Sequence, residues 1–291
     1  MQGAVDETGK LFGANGRDED SYGGRGFGVS LVGAGRGTGM KKTIAVFARA
    51  PVAGRVKTRL ARHLGDDGAR ALYAAMLGDT LTVAKRAARD LSECEVVVAF
   101  TPHDAFEPGP DSLFPFWSGA RMAQCQGDIG ARMLDCIARL QQGNDDERGN
   151  DDEQGGAQVV LIGSDAPDLP VSCLMRAFEE LERGEVGLAF GSGERMHDLV
   201  FGPALDGGFY LIGAAKPVPP KVFQDVEWSS PQTLEQVKAN ARRLNLRLAM
   251  LPRHGDLDAL ADLQRFIQKR RFDGQDDSAT RRFLLSHKLF N

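Results

Sequence analysis

A chain of 291 residues with 42% hydrophobic content and a formal net charge of −4 is long and apolar enough to bury a full core. No apolar run reaches the roughly 18 residues that cross a bilayer, and the first residues include Asp6 and Glu7 where a signal peptide has an apolar core, so the expectation is a cytoplasmic protein. Cys94, Cys125, Cys136 and Cys173 are widely spaced, without a C-x-x-C pair, which favours buried free thiols over zinc or a disulfide framework.

Residues 1–39 are Gly-rich, polar and aperiodic, and read as a disordered leader before a domain that starts at Met40. The GVSLVGAGRGTG stretch inside the leader imitates a nucleotide loop, but it lacks the preceding strand and the following amphipathic helix. From Ser21 to Gly65 the chain carries nine Lys or Arg and no Asp or Glu. A local positive field in an acidic protein points to a small anion. Nucleic acid is disfavoured, because the region is compact and has no stacking aromatics apart from Phe47.

Ile44, Val46 and Phe47 form a short buried strand that Pro51 and Gly54 interrupt, so the chain should leave the strand end with exposed backbone N–H groups. Thr58 is then positioned to cap a helix through Leu60, Ala61 and Leu64. Arg55, Lys57 and Arg59 lie at this junction, where helix dipole, N–H groups and side-chain charge can act on one phosphate. A solvated basic turn is the plainer alternative. Neither the Walker A pattern nor G-x-G-x-x-G is present here.

Helical spacing continues from Asp66 to Arg89, with Leu72, Met76, Leu77, Leu81 and Ala84 as the buried stripe. Val96 to Phe100 reads as a strand, Met122 to Gln126 as a weaker one and Ile129 to Leu140 as a helix. Gly143 to Gln154 writes one acidic six-residue unit twice with a single change, and residues 143–157 are expected to be a surface insertion. Val159 to Ile162 is a strand, Val171 to Leu181 a helix and Val186 to Phe190 a further strand. LAFG at Leu188 is echoed by LVFG at Leu199, one of the two being an added hairpin strand. Phe209 to Ile212, a helix from Pro231 to Arg243, a strand from Leu246 to Leu251 and a helix from Ala259 to Arg270 complete the domain at residue 271. Residues 272–291, with Phe283, Leu284, Leu285, Leu289 and Phe290, suit a docking helix. The alternation predicts an α/β fold, a mostly parallel sheet with ligands at the strands' carboxyl ends.

Three acidic sites fall at such ends. Asp165 follows the strand Val159 to Ile162 directly, and a carboxylate facing the basic loop can hold Mg²⁺ or Mn²⁺ on a diphosphate. Either Asp165 or Asp168 could instead cap the helix near Val171. Asp206 precedes Gly207 and Gly208, where the backbone can approach a ligand and the acid can contact a sugar hydroxyl or act as a base; an Asp-Gly β-turn is the alternative. Asp256 and Asp258 sit between the last strand and its helix, and Asp258 also suits an N-cap. The five histidines form no motif, and no nucleophile elbow surrounds a serine, which leaves a Ser-His-Asp hydrolase without support.

FARAPVAGRVKTRL at Phe47, QGDIGARM at Gln126, IGSDAPDL at Ile162, GPALDGGFYLIG at Gly202 and FQDVEWSSPQTL at Phe223 together resemble the ordered motifs of a bacterial family of GT-A-fold glycosyltransferases associated with radical-enzyme or selenium-linked domains, some assigned to arsenosugar biosynthesis. The resemblance spans roughly residues 41–266. It implies a nucleotide-diphospho-sugar transferase fold, also that of nucleotidyltransferases whose closing D-[IV]-D-T is similar to Asp256-Leu257-Asp258-Ala259. It further implies nucleotide contacts at Ala48, Arg49, Ala50, Pro51, Gly54, Arg55 and Lys57, with Asp128 and Arg132 as further candidates; a helix cap is the other reading of Asp128. Metal is implied at Asp165, with Asp258 alongside, and substrate contacts at Asp206, Gly207, Gly208, Phe209 and Trp228. Ala259 departs from the usual threonine.

The expectation is therefore a single Rossmann-like, metal-dependent domain. It moves a sugar from a nucleoside diphosphate sugar to a small acceptor, with Asp206 catalytic. The alternative is a nucleotidyltransferase joining an NTP to a phosphorylated small molecule. Neither nucleic acid nor membrane is an expected partner.

Overall fold

The computed structural model describes residues 41–102, 117–142, 157–182, 197–270 and 278–287. The leader, the acidic repeat and the strand expected from Val186 to Phe190 lie outside the described residues.

Strands β1 (Lys42–Arg49), β2 (Cys94–Thr101), β3 (Ala120–Ala123), β4 (Gln158–Gly163), β5 (Leu199–Pro203), β6 (Phe209–Ala214) and β7 (Leu248–Met250) form one sheet. Their order is β3-β2-β1-β4-β6-β5-β7. All neighbours pair in parallel except β6, which runs antiparallel to both β4 and β5. The β5–β6 hairpin is what departs from simple β-α-β alternation, and the LVFG segment at Leu199 supplies its first strand. The weak strand expected from Met122 is β3, which starts at Ala120 and has ended by Ala123.

Period-2 alternation divides the core. Ile44, Val46, Val98, Val160 and Ile162 face one side, while Ala45, Val97, Ala99, Val159 and Leu161 face the other. Helices α1 (Thr58–Asp90, with a break at Gly65) and α3 (Val171–Glu182) cover the first side. Helices α2 (Ile129–Gln142) and α4 (Thr233–Arg243) cover the second. Helix α5 (Leu260–Arg270) and the tail helix α6 (Ala279–Ser286) pack on α1 through a third cluster containing Leu60, Leu72, Met76, Leu263, Phe266 and Leu284. The Asp79 carboxylate accepts hydrogen bonds from the N–H groups of Ala279 (2.9 Å) and Thr280 (2.8 Å), fixing the start of α6 on α1.

Of the cysteines, Cys136 and Cys173 are buried, whereas Cys94 and Cys125 are partly exposed. All four thiols are free. Among the described residues no helix is long and apolar enough to cross a membrane.

Candidate functional site

Chain order reverses between β1 and β4: β1 continues to β2 on one side, and β4 lies on its other side. The crevice at the carboxyl end of such a switch point is where open α/β sheets bind ligands. The β1–α1 loop and the β4–α3 loop both open there. Because β5 and β7 run in the same direction as β4, the β5–β6 turn and the β7–α5 loop emerge at that edge as well. Four connections far apart in sequence thus deliver Lys57, Asp165, Asp206 and the Asp256–Asp258 pair to one end of the sheet.

At the centre, Lys57 Nζ lies 2.8 Å from Asp165 Oδ1 and 2.5 Å from Asp258 Oδ1. The lysine side chain is 6% exposed and each carboxylate 45% exposed, so the ammonium is roofed by acids that still face solvent. Burial works to lower the Lys57 pKa, but the charges and hydrogen bonds of Asp165 and Asp258 outweigh it and hold the group above the ordinary lysine value. Lys57 takes a left-handed backbone conformation (φ 48°, ψ 41°) as the N-cap of α1, with no side-chain cap. Thr58, expected to cap this helix, is instead its first residue.

The Asp165 backbone carbonyl accepts from Leu257 N–H at 2.9 Å, which stitches the β4 and β7 loops together beneath the ion pairs. Asp258 is left available for Lys57 because Asp262 does the capping: its carboxylate accepts from the N–H groups of Asp258 (3.1 Å) and Ala259 (2.7 Å). Asp168 has its Oδ1 2.9 Å from His254 Nε2, and both side chains are largely buried. His254 also packs edge-on against Tyr210, whose hydroxyl donates to the Pro252 carbonyl at 2.9 Å. This clamp joins the β4, β6 and β7 ends. Nothing in the spacing of His254 announces it.

Asp206 is exposed in the β5–β6 turn, and its Oδ1 accepts from Gly208 N–H at 2.9 Å, the Asp-Gly turn that was one of its two readings. Gly207 has φ 94°, and a Cβ there would lie 2.0 Å from the Pro231 carbonyl oxygen. Only glycine fits. Asp256 links the two halves electrostatically. Burial and then the charges of Asp206, Asp258 and Asp165 push its carboxyl up to about 7, against the opposing pull of Lys57. Among the described residues, Asp256 Oδ1 is buried without a hydrogen-bond partner.

In the basic loop, Arg55 and Arg59 are exposed while Ala50 and Pro51 are buried. The N–H groups of Ala50, Val52 and Arg55 are spent on Thr101, Ala50 and Val52 carbonyls, so fewer remain for an anion than the sequence implies. Arg49 donates through Nη1 to the Arg55 carbonyl at 3.3 Å, and its N–H donates to the Tyr73 hydroxyl at 2.9 Å. Tyr73 shares a second hydrogen bond with Ser164 Oγ at 2.9 Å, tying the ends of β1 and β4. It sits on the buried stripe of α1, where it passes for a core residue. Burial and the nearby Asp165 charge raise its pKa.

Asp128 caps α2, accepting from Ala131 N–H at 2.8 Å. Arg132 donates to Gln124 Oε1 at 3.1 Å, and Gln124 Nε2 donates to the Ala99 (2.8 Å) and Ala48 (3.4 Å) carbonyls. Gln124 therefore brings Arg132 to the nucleotide-candidate end of β1. Trp228 packs edge-on against Phe223, ring centroids 5.4 Å apart, and lies over Gly130, where a Cβ would meet its Cζ2 at 2.5 Å. Phe209 similarly packs on Phe201 at 5.4 Å. Both rings are thus engaged with the core. A cavity of about 380 Å³ lined by Lys221, Gln224, Asn240 and Arg243 contains none of these site residues.

Among the described residues, no group of three or more His, Cys, Asp or Glu side chains is placed to hold a metal ion. Asp165 and Asp258 nonetheless converge on one cation, the Lys57 ammonium. Two hard carboxylate oxygens around a cation position fit Mg²⁺ or Mn²⁺, provided that substrate phosphates and water complete the shell.

The fold is that of the nucleotide-diphospho-sugar transferases, a mostly parallel sheet flanked by helices. The chain belongs to the family DUF2064, described as an uncharacterized protein conserved in bacteria, whose pattern matches residues 82–230. That match takes in Asp128, Asp165, Asp206 and Trp228 and stops short of Lys57 and Asp258. A crystal structure of a "putative nucleotide-diphospho-sugar transferase" from Desulfovibrio desulfuricans G20 is similar at 28% identity and a TM-score of 0.66, covering 84% of this chain and 94% of that one. A cytidylyltransferase from Leptospira borgpetersenii is more distant at 13% identity and a TM-score of 0.46, over 86% of this chain and 94% of that one. A CMP:2-keto-3-deoxy-manno-octonic acid synthetase complexed with CTP stands at 11% and 0.45, over 80% and 99%. The search of curated proteins finds no match.

Proposed function

We propose that this protein is a transferase acting on a nucleotide-activated substrate, and more narrowly a glycosyltransferase that moves a sugar from a nucleoside diphosphate sugar to a small acceptor. The observation that carries the reading is Lys57 held between Asp165 and Asp258 at the switch point of the sheet, with Asp206 exposed at the same edge. The likeness to the Desulfovibrio protein supports it. The ordered motifs extend it to the glycosyltransferases associated with radical-enzyme or selenium-linked domains.

In this reading Arg55, Arg59 and Lys57 receive the diphosphate, and Arg132 borders the nucleotide. Asp165 and Asp258 would hold a Mg²⁺ or Mn²⁺ ion, which offsets negative charge on the leaving diphosphate. Asp206 orients or deprotonates the acceptor hydroxyl, with one oxygen fixed by Gly208 N–H.

The test is the fate of the phosphates. A panel of nucleotide sugars incubated with the protein and Mn²⁺ should release a nucleoside diphosphate. Asp206→Asn should bind the same nucleotide sugar but lose turnover, because an interaction made mainly in the transition state acts on kcat more than on affinity. Pyrophosphate released from an NTP and a phosphorylated acceptor, with no diphosphate from any nucleotide sugar, would replace glycosyl transfer by nucleotidyl transfer.

A further inference from the structure

Lys57 presents a conflict that the proposed function leaves open. The same residue is asked to bind phosphate, yet its ammonium is already bonded to the two carboxylates proposed to hold the metal. One carboxylate oxygen cannot serve an ammonium and a divalent ion at the same point, since Mg²⁺ takes its oxygens at about 2.0–2.1 Å and two cations that close repel. Conversely, the lysine cannot leave alone. Asp165 and Asp258 share its ammonium, so vacating the position without a replacement would leave two neighbouring carboxylates without their cation.

We infer that Lys57 is an exchangeable counter-ion: it occupies the place between Asp165 and Asp258 until a divalent cation enters, and is then released to the diphosphate, so that metal and nucleotide bind cooperatively. The inference rests on the proposed metal role of Asp165 and Asp258. The geometry favours such an exchange. The carboxylates are half-exposed and the lysine beneath them is buried, so an ion arriving from solvent meets the acids first. Lys57 is the N-cap of α1, beside the exposed Arg55 and Arg59. A flexible four-carbon stem carrying a point charge can turn from the acids to a phosphate at that helix start without moving the backbone. Coupling is reciprocal: whatever factor the metal contributes to nucleotide affinity, the nucleotide returns to the metal.

Mn²⁺ binding to the full chain, followed by electron paramagnetic resonance without nucleotide, tests the exchange. Lys57→Gln should bind Mn²⁺ about tenfold or more tightly than the wild type, and adding Asp165→Asn to that variant should remove the gain. Should Lys57→Gln fail to fold, the wild type provides its own readout: acetylation of Lys57 by an amine-reactive reagent, read by peptide mass spectrometry, should be slow alone and faster in saturating Mn²⁺. If Mn²⁺ binds the wild type and Lys57→Gln equally and Lys57 acetylation is unchanged by the ion, the exchange is wrong while the metal role stands. If no form binds Mn²⁺, even with a nucleoside diphosphate present, the metal role falls and the exchange falls with it.

Discussion

Lys57 and four carboxyl groups gather at one sheet end, and Asp256 is the acid whose ionisation this crowding opposes. Its carboxyl is pushed up to about 7, first by burial and then by Asp206, Asp258 and Asp165. An acid whose folded pKa lies above its unfolded value contributes stability below the unfolded pKa, near 4, and loses it as pH rises through the folded value. Asp256→Asn, measured in chelator, should therefore raise Tm relative to wild type at pH 8. The difference should shrink steadily as pH falls from 7 towards 4. A wild type whose Tm parallels that of the variant across this range would show that Asp256 ionises normally. Asp165 is paired with the Lys57 ammonium at 2.8 Å. Asp165→Asn should leave the fold intact while weakening Mn²⁺-linked nucleotide binding, and equal binding in chelator would remove the metal from the mechanism.

At the scale of elements, the β5–β6 turn and the tail helix make separate demands. Gly207→Ala adds left-handed strain of about 1–3 kcal/mol and an overpacking cost of about 1–3 kcal/mol, because the Pro231 carbonyl occupies the space of the new methyl. A loss of about 2–6 kcal/mol in denaturant unfolding is expected, together with displacement of Asp206. Leu284, 1% exposed in the third cluster, makes α6 part of the fold. Leu284→Ala should cost about 2–5 kcal/mol, and a loss near zero would mean that α6 does not stay docked. The same elements show what the sequence could reveal. Strands such as β1 and β4, buried on both sides, announced themselves as short apolar runs, and Asp165 was readable because it directly follows one of them. The pairing of β6 was hidden, since an antiparallel hairpin strand and a parallel strand have the same periodicity. Lys57 could be read as a cation near phosphate but not as the partner of two acids, because 201 residues separate it from Asp258. Tyr73, Gln124 and His254 were missed for a similar reason: each is a single polar side chain whose role lies in a long-range hydrogen bond.

For the whole molecule, the charge is unevenly distributed. The chain carries a formal net charge of −4, yet the β1–α1 loop presents Arg49, Arg55 and Arg59 to solvent, while the acids opposite are partly neutralised by Lys57. The nucleotide proposed as substrate would thus be repelled by the protein at large and attracted at one edge of the sheet, and both effects would reach it through water. Exposed charges are screened by salt, whereas the buried Lys57 pairs are screened far less. Raising ionic strength from about 0.01 M, where the Debye length is about 30 Å, to about 1 M, where it is about 3 Å, should weaken binding of a nucleoside diphosphate about tenfold or more. The combined Arg55→Ala and Arg59→Ala variant should bind weakly at low salt and show a flatter dependence, since the residues that salt screens are gone. Isothermal titration across that range distinguishes the cases. An unchanged slope in the double variant would mean that the diphosphate is held by Lys57 and the loop backbone alone, leaving the arginines as an ordinary solvated turn.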